Sequence, residues 1–243
     1  MIDIHNHSLY SIDDGSSSIE ESIRIIKQLS NLGFKKLVLT PHYIEGSKYN
    51  CNNSDKILLL HNLNIELHKN QIPIELYLGN ETFINKDIHN LVSNQEVFTI
   101  NNTRYILIEF SLTNLLNDIE DILYDLSLYD YKVIIAHPER YSFFQDDYKL
   151  VHKLKDSNNL LYQCNYNSIV GKYGSKAKKL MKYLLKNNLV TFLGTDVHKD
   201  RSSVLKDFEK SKKKIIKLIG EKEFNKLSDT NIELVLNNEE IED

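Results

Sequence analysis

The sequence predicts one α/β domain in which seven parallel strands and their connecting helices close into a barrel. Three observations carry that expectation. Short apolar runs alternate with stretches of helical periodicity along all 243 residues, the pattern of parallel βαβ units. No linker or internal repeat divides the chain, so residues 1–243 read as a single domain. Strand after strand also ends in histidine, aspartate or glutamate, and in a parallel barrel these ends converge on one mouth where the active site forms.

The first strand, Met1 to His5, places His5 and His7 two residues apart, so in extended chain both imidazoles point to one side. Asp13 and Asp14 follow, then Gly15 and three serines that turn the chain and cap the next helix. That helix, Ser18 to Leu32, carries Ile19, Ile23, Ile26 and Leu29 as an apolar stripe and stops at Gly33. The second strand, Lys35 to Thr40, is ended by Pro41 and leaves His42 just beyond it. Ser54 is expected to cap a helix running to about Asn70, with Ile57, Leu60, Asn64 and Leu67 along one face. The third strand, IELYLGN, precedes Glu81. Between Asp87 and Thr103 the pattern suggests a short helix and an extended piece at Val97 to Ile100. Arg104 to Ile108 is the fourth strand, ending at Glu109, and a helix spans roughly Asn114 to Tyr129. Lys132 to Ala136 is the fifth, ending in His137-Pro138-Glu139-Arg140. After a helix near Asp147 to Lys155, the sixth strand, Leu160 to Cys164, ends at Asn165. Helix Ser175 to Asn187 leads to the seventh, Val190 to Leu193, which opens into Gly194-Thr195-Asp196-Val197-His198. Two or three helices with a break near Gly220 fill Ser202 to Leu236, and the acidic tail, about 237–243, is expected to fray.

Composition narrows the function. A hydrophobic content of 41% supports a sizeable core, and a formal net charge of -4 argues against a general nucleic-acid binder. No run approaches the roughly 18 apolar residues of a membrane span, and the N-terminus lacks the basic start of a signal peptide. A cytoplasmic location without direct membrane insertion is expected. Cys51 and Cys164 are too few and too far apart for a disulfide framework or a local zinc motif.

Any one histidine or carboxylate at a strand end is ordinary; six strand ends all carrying them is hard to obtain from packing, because charge near a barrel core is costly unless paired or metal-bound. His5, His7, His42, His137 and His198 with Asp14, Glu81, Glu109 and Asp196 make a nitrogen and oxygen donor set for Mn²⁺, Fe²⁺ or Zn²⁺. Nine ligands suit two or three ions sharing a carboxylate or a water, and neighbouring ions about 3.5 to 4 Å apart suit in-line attack of an activated water on a phosphoester. Arg140 and Arg201, two of only four arginines, follow ligand motifs and have the fork geometry that grips phosphate. Neither cysteine begins a Cys-x₅-Arg loop, since positions 57 and 170 are Ile57 and Val170, so a cysteinyl-phosphate mechanism is excluded. Tyr10, Tyr43 and Tyr173 are weaker candidates for the pocket wall, while His61, His68, His89 and His152 and the lysines at 176–179 and 212–214 are read as helix-surface groups.

The HNH start, DDG at 13–15, TPHY at 40–43, GNE at 79–81, HPER at 137–140, QCNYNSIVGKYG at 163–174 and GTDVH at 194–198 together resemble the PHP (polymerase and histidinol phosphatase) superfamily. Their order and spacing are similar to those of the bacterial protein tyrosine phosphatases encoded with capsular and exopolysaccharide genes. The resemblance implies a PHP-type distorted (β/α)₇ TIM-like barrel with a trinuclear, usually manganese-activated site. It places one ion on His5, His7, Glu81 and Asp196, a second on Glu81, Glu109 and His137, and a third on Asp14, His42 and His198. Arg140 and Arg201 match the phosphate-binding arginines and, with Glu81 and Asp196, are the residues expected to carry catalysis. The implied substrate is phosphotyrosine on the tail of a membrane-associated tyrosine autokinase. Tyr43 stands where many members have a second histidine. The nearest rival is a histidinol phosphatase or another small-molecule phosphoesterase of the same superfamily, and a non-catalytic phosphopeptide-binding regulator is a rival of a different class. A metal-dependent amidohydrolase would carry a bridging lysine where this chain has Glu109.

Overall fold

The strands form where apolar, largely β-branched runs allow both faces to be covered. In the computed structural model, which describes residues 1–241, these are β1 (Ile2–Asn6), β2 (Lys36–Leu39), β3 (His42–Tyr43), β4 (Glu75–Leu78), β5 (Glu81–Phe83), β6 (Tyr105–Glu109), β7 (Lys132–Ala136), β8 (Leu161–Asn165) and β9 (Phe192–Gly194). Every pairing is parallel, in the orders β1-β2-β4 and β3-β5-β6-β7-β8-β9.

The second and third expected strands are each followed by a further short strand, beyond breaks at Thr40-Pro41 and Gly79-Asn80. Pro41 has no N–H to give the ladder. The register survives the break: Leu39 pairs Leu78 before it and His42 pairs Glu81 after it. β3 thus continues β2, β5 continues β4, and seven strand lines remain. Backbone bonds from Asp196 N to His5 O (2.8 Å) and from His7 N to Val197 O (3.0 Å) join the end of β9 to β1 and close the ring. Buried Asp3 reinforces that seam by accepting from Thr195 N (2.9 Å) and Thr195 Oγ1 (2.6 Å).

Alternation sorts the strand residues into two layers. Tyr105, Leu107, Ile134 and Ala136 fill the barrel with Ile2, Ile4, Val38 and Phe192, and Ile232 and Val235 pack into the same cluster. Ile106, Ile108, Val133 and Ile135 join the larger core, which also takes the apolar faces of the surrounding helices. Those helices are α1 (Ile19–Asn31), α2 (Asn53–Lys69), α3 (Ile88–Ser93), α4 (Ile119–Leu128), α5 (Ser142–Asp146), α6 (Tyr148–Asn158), α7 (Gly174–Lys186), α8 (Ser203–Ile219), α9 (Glu221–Asn225) and α10 (Asn231–Leu236). A register shift between β1 and β2 at Asp3 to Asn6 re-aims side chains as a bulge does, so Ile4 joins the barrel filling and the next residue, His5, reaches the mouth.

The expected extended piece at Val97 to Ile100 does not pair. The chain instead makes a 3₁₀ turn at Ile100–Asn102, with Asn101 and Asn102 at positive φ, and buries Val97 and Ile100 from a loop. The face of α2 also differs from expectation: Lys56, Leu63 and Leu67 are buried, while Ile57 and Leu58 stand exposed. The Lys56 ammonium hydrogen-bonds Asn53 Oδ1 (3.0 Å) and Asn80 Oδ1 (2.9 Å) and lies over the rings of Tyr43 and Phe98. Burial pushes its pKa down to about 8. Asn80 in turn donates to Pro41 O (2.9 Å), so this network ties together the two strand breaks that present His42 and Glu81. In the described part of the tail, Asn238 Oδ1 accepts from Arg104 N (3.0 Å), Glu239 O from Tyr105 Oη (2.6 Å), and Glu240 pairs with Arg104. Glu242 and Asp243 lie outside the described residues.

Candidate metal centre

Each candidate ligand sits at a strand end or in the loop just after it. β1 and its extension present His5 and His7, β3 presents His42, β5 Glu81 and β6 Glu109. His137 follows β7, and Asp196 and His198 follow β9. Asp14 comes from the loop after β1, which doubles back through Ser16 N to His7 O (3.0 Å). A Cβ on Gly15 would come within 2.2 Å of His7 O, so the turn requires glycine there. His137 (φ 36°) and Asp196 (φ 52°) both hold left-handed backbone, a strain of about 1–3 kcal/mol each of the kind that gathers at functional sites.

All nine predicted ligands converge, and Glu81 is their centre. Its Oε2 lies 3.3 Å from His5 Nε2, 3.3 Å from His7 Nε2 and 3.0 Å from His42 Nδ1, while Oε1 lies 2.9 Å from His137 Nε2. Asp196 Oδ1 completes the first group at 3.7 Å from His5 Nε2 and 3.6 Å from His7 Nε2. In the second, Glu109 is 3.5 Å from His137 Nε2 and 3.6 Å from His42 Nδ1. In the third, Asp14 Oδ1 is 3.5 Å from both His42 Nε2 and His198 Nε2. His42 therefore faces two groups, one through each ring nitrogen.

The donor chemistry fits cations among these atoms. His5 Nδ1 bonds Gln163 Oε1 and His7 Nδ1 bonds Asp13 Oδ2, both at 2.7 Å. With those N–H groups donated, a neutral imidazole turns a bare lone pair at Nε2. The two Nε2 atoms are 3.2 Å apart, and lone pairs so placed against a carboxylate repel unless a positive charge lies among them. Glu81 Oε2 and His42 Nδ1 are buried with no hydrogen-bond partner, which metal ligation would satisfy. The pKa shifts follow from the same crowding of buried imidazoles and carboxylates. Burial would lower His5, but the charges of Glu81 and Asp196 raise it to about 9. Glu109 is pushed up to about 8 by burial and by the charge of Glu81. Burial and Arg140 push His137 down to about 4.

Sequence reading passed over the residues that orient the ligands. Asp13 holds His7 and also accepts from His42 N (3.0 Å) and Gly15 N (2.8 Å). Gln163 bridges His5 to Asn165, and Asn165 Nδ2 holds Asp196 Oδ2 at 2.7 Å. Buried Glu139 accepts from Asn165 N (2.9 Å) and Ser168 Oγ (2.6 Å). Asp13 was readable only as half of an Asp-Asp pair, and the spacing of the Gln163 and Asn165 contacts in sequence offered no local signal. Such orienting partners typically contribute about 10- to 100-fold in metal affinity. Asp13→Ala is therefore expected to weaken metal binding by that factor in a titration of the folded, metal-stripped protein; unchanged affinity would remove Asp13 from this role.

Of the two arginines, Arg140 is in the site, with Nη1 3.0 Å from Asp196 Oδ2. Arg201 is exposed in the turn ahead of α8 and makes no ion pair with the cluster. Tyr43 is buried in the core against Lys56 rather than lining the mouth. Tyr173 does reach the site, its Oη 3.5 Å from Asp196 Oδ2. His152 bonds the Tyr183 hydroxyl and His89 stacks on Tyr129, apart from the ligands.

A family model described as capsular polysaccharide synthesis, CpsB/CapC, matches residues 1–237. The chain belongs to the CpsB/CapC family. CapC of Staphylococcus aureus is 33% identical over 199 residues, covering 82% of this chain and 77% of that protein. Among solved structures, one from work on YwqE of Bacillus subtilis and CpsB of Streptococcus pneumoniae, described there as metal-dependent tyrosine phosphatases, superposes with a TM-score of 0.92. It is 28% identical to this CpsB/CapC member and covers 100% of it and 96% of the matched chain. The barrel itself is also that of a histidinol phosphate phosphatase from Lactococcus lactis, with a TM-score of 0.59 at 16% identity, over 93% of this chain and 94% of that one. Among the described residues, no helix is long and apolar enough to cross a membrane.

Proposed function

We propose that this CpsB/CapC member is a metal-dependent protein tyrosine phosphatase that acts on a phosphorylated tyrosine autokinase and thereby regulates capsular or exopolysaccharide synthesis, with Mn²⁺ as its metal. The observation that carries the reading is the buried Glu81 carboxylate, ringed by four imidazole nitrogens at 2.9–3.3 Å, in a chain that superposes on a structure described as that of a metal-dependent tyrosine phosphatase.

His5, His7, Glu81 and Asp196 would hold one ion, Glu81, Glu109 and His137 a second, and Asp14, His42 and His198 a third. When bound, the ions supply a water activated at neutral pH and draw charge from the phosphoryl oxygens. The chain's own part is positioning. Gln163 and Asp13 keep His5 and His7 in the tautomer that turns Nε2 inward. Asn165 and Arg140 fix Asp196 through Oδ2 and leave Oδ1 facing the histidines. Arg140 engages Asp196 through Nη1, so its other N–H groups can take the non-bridging phosphoryl oxygens. A tyrosine ester suits this site because its leaving group has a parent pKa of about 10 and needs little protonation.

The test is metal-stripped protein reconstituted with Mn²⁺, Zn²⁺ or Mg²⁺ and assayed in parallel on a phosphotyrosine peptide and on histidinol phosphate. Preference for the peptide with Mn²⁺ is expected. Preference for histidinol phosphate would move the function to a small molecule, and no turnover with any metal would leave a phosphopeptide-binding protein.

A further inference from the structure

Beside the metal centre the chain presents a second cation that no motif assigned. Gly171 and Gly174, at φ of 94° and 96°, flank Lys172 and Tyr173. Two left-handed residues in four turn the chain sharply and raise the dipeptide between them. The turn is anchored by Lys172 N to Asn167 O (3.2 Å) and Gly174 N to Gly171 O (3.1 Å). At its tip, Tyr173 Oη lies 3.3 Å from Asn165 Nδ2 and 3.5 Å from Asp196 Oδ2, the oxygen that also receives Arg140. The Tyr173 ring carries two cations, the Arg140 guanidinium at 4.8 Å and the Lys172 ammonium at 5.0 Å from its centre.

We infer that Lys172, set by Tyr173 beside Arg140, is a second phosphoryl-binding cation of the site, taking the non-bridging oxygens of the substrate phosphate. This rests on the phosphatase reading above. Arg24, Lys36, Lys176 and Lys199 pair with acidic side chains, whereas Lys172 has no ion-pair partner among the described residues. Two like charges on one ring repel, and an anion between them would relieve that repulsion. Lys172 is exposed overall; its pKa is lowered, by partial burial first and by Arg140, with Asp196 opposing.

The test measures binding and turnover separately in Mn²⁺-loaded protein. Calorimetric titration with inorganic phosphate should show about tenfold weaker binding in Lys172→Met, the effect of one charge-assisted contact in a partly solvated site. Lys172→Arg should restore most of it, and metal content and Tm should match wild type. KM for para-nitrophenyl phosphate should rise in step. Unchanged phosphate affinity would overturn the inference, as would a defect confined to a phosphotyrosine peptide, which would make Lys172 a contact to the peptide flank. Because phosphate binding is read without turnover, an enzyme inactive on every phosphoester would sink the phosphatase reading while the titration still decides Lys172.

Discussion

Glu81→Gln is expected to leave a folded protein that binds at least one fewer metal ion and turns over an aryl phosphate about a thousandfold more slowly, or worse. Among the described residues, Glu81 is the only carboxylate within 3.3 Å of imidazoles from both the first and second groups, so its loss weakens two proposed ion positions at once. Burial alone would raise its pKa; the charges of His5 and His42 and the bond from His137 hold it well below the usual carboxylate range. Glutamine keeps the shape but not the charge, and its amide can donate to an imidazole nitrogen, so the barrel should still close. What disappears is the anion that lets cations share this space, and with it several kcal/mol of transition-state stabilisation. Elemental analysis and kcat report the two losses. Mn²⁺ should raise the Tm of the wild type through binding linkage and have a much smaller effect on the variant. A variant that loads its full metal complement and retains wild-type turnover would show that Glu81 does not bridge ions.

The reading of the strands succeeded where burial on both faces forces an unbroken apolar run, as in YILIE and KVIIA, because few other elements tolerate such a run between polar turns. Elsewhere burial and pairing part company. Val97 and Ile100 are as apolar as strand residues and are likewise buried, yet Val97 joins the outer core and Ile100 the barrel filling from a loop and turn whose left-handed asparagines no periodicity reveals. On α2 the apolar stripe only partly matches the buried face: Leu67 is buried, but Ile57 is exposed and the residue buried one turn into the helix is Lys56, satisfied by two asparagines and two aromatic rings. The candidate ligands were legible because strand ends in a barrel share one mouth, so position along the chain translates directly into position in space. Their supports were not: the Gln163 bond to His5 spans 158 residues, and nothing local to QCN distinguishes a ligand orienter from a core amide. Arg201, three residues after His198, lies in the exposed turn ahead of α8.

Arg140→Ala is expected to lower kcat/KM on an aryl phosphate by about 100- to 1,000-fold, the usual loss when one preorganised donor to a developing anion is removed, while metal content stays near wild type. The structure makes that separation a demanding test, because Arg140 touches a proposed ligand through Nη1 and Asp196 Oδ2. Two features keep Asp196 in place without it. Asn165 Nδ2 holds the same oxygen at 2.7 Å, and the seam bond from Asp196 N to His5 O fixes the backbone. Asp196 also stays ionised, since after burial the first opposing influences are His5 and His198, with Arg140 third. Arg140→Lys should recover only part of the loss: an ammonium supplies the charge but cannot engage Asp196 and two phosphoryl oxygens in one plane. If the alanine variant loses metal in proportion to activity, Arg140 acts through Asp196 and not on the substrate. If its kinetics are unchanged, the phosphoryl group binds elsewhere on the mouth.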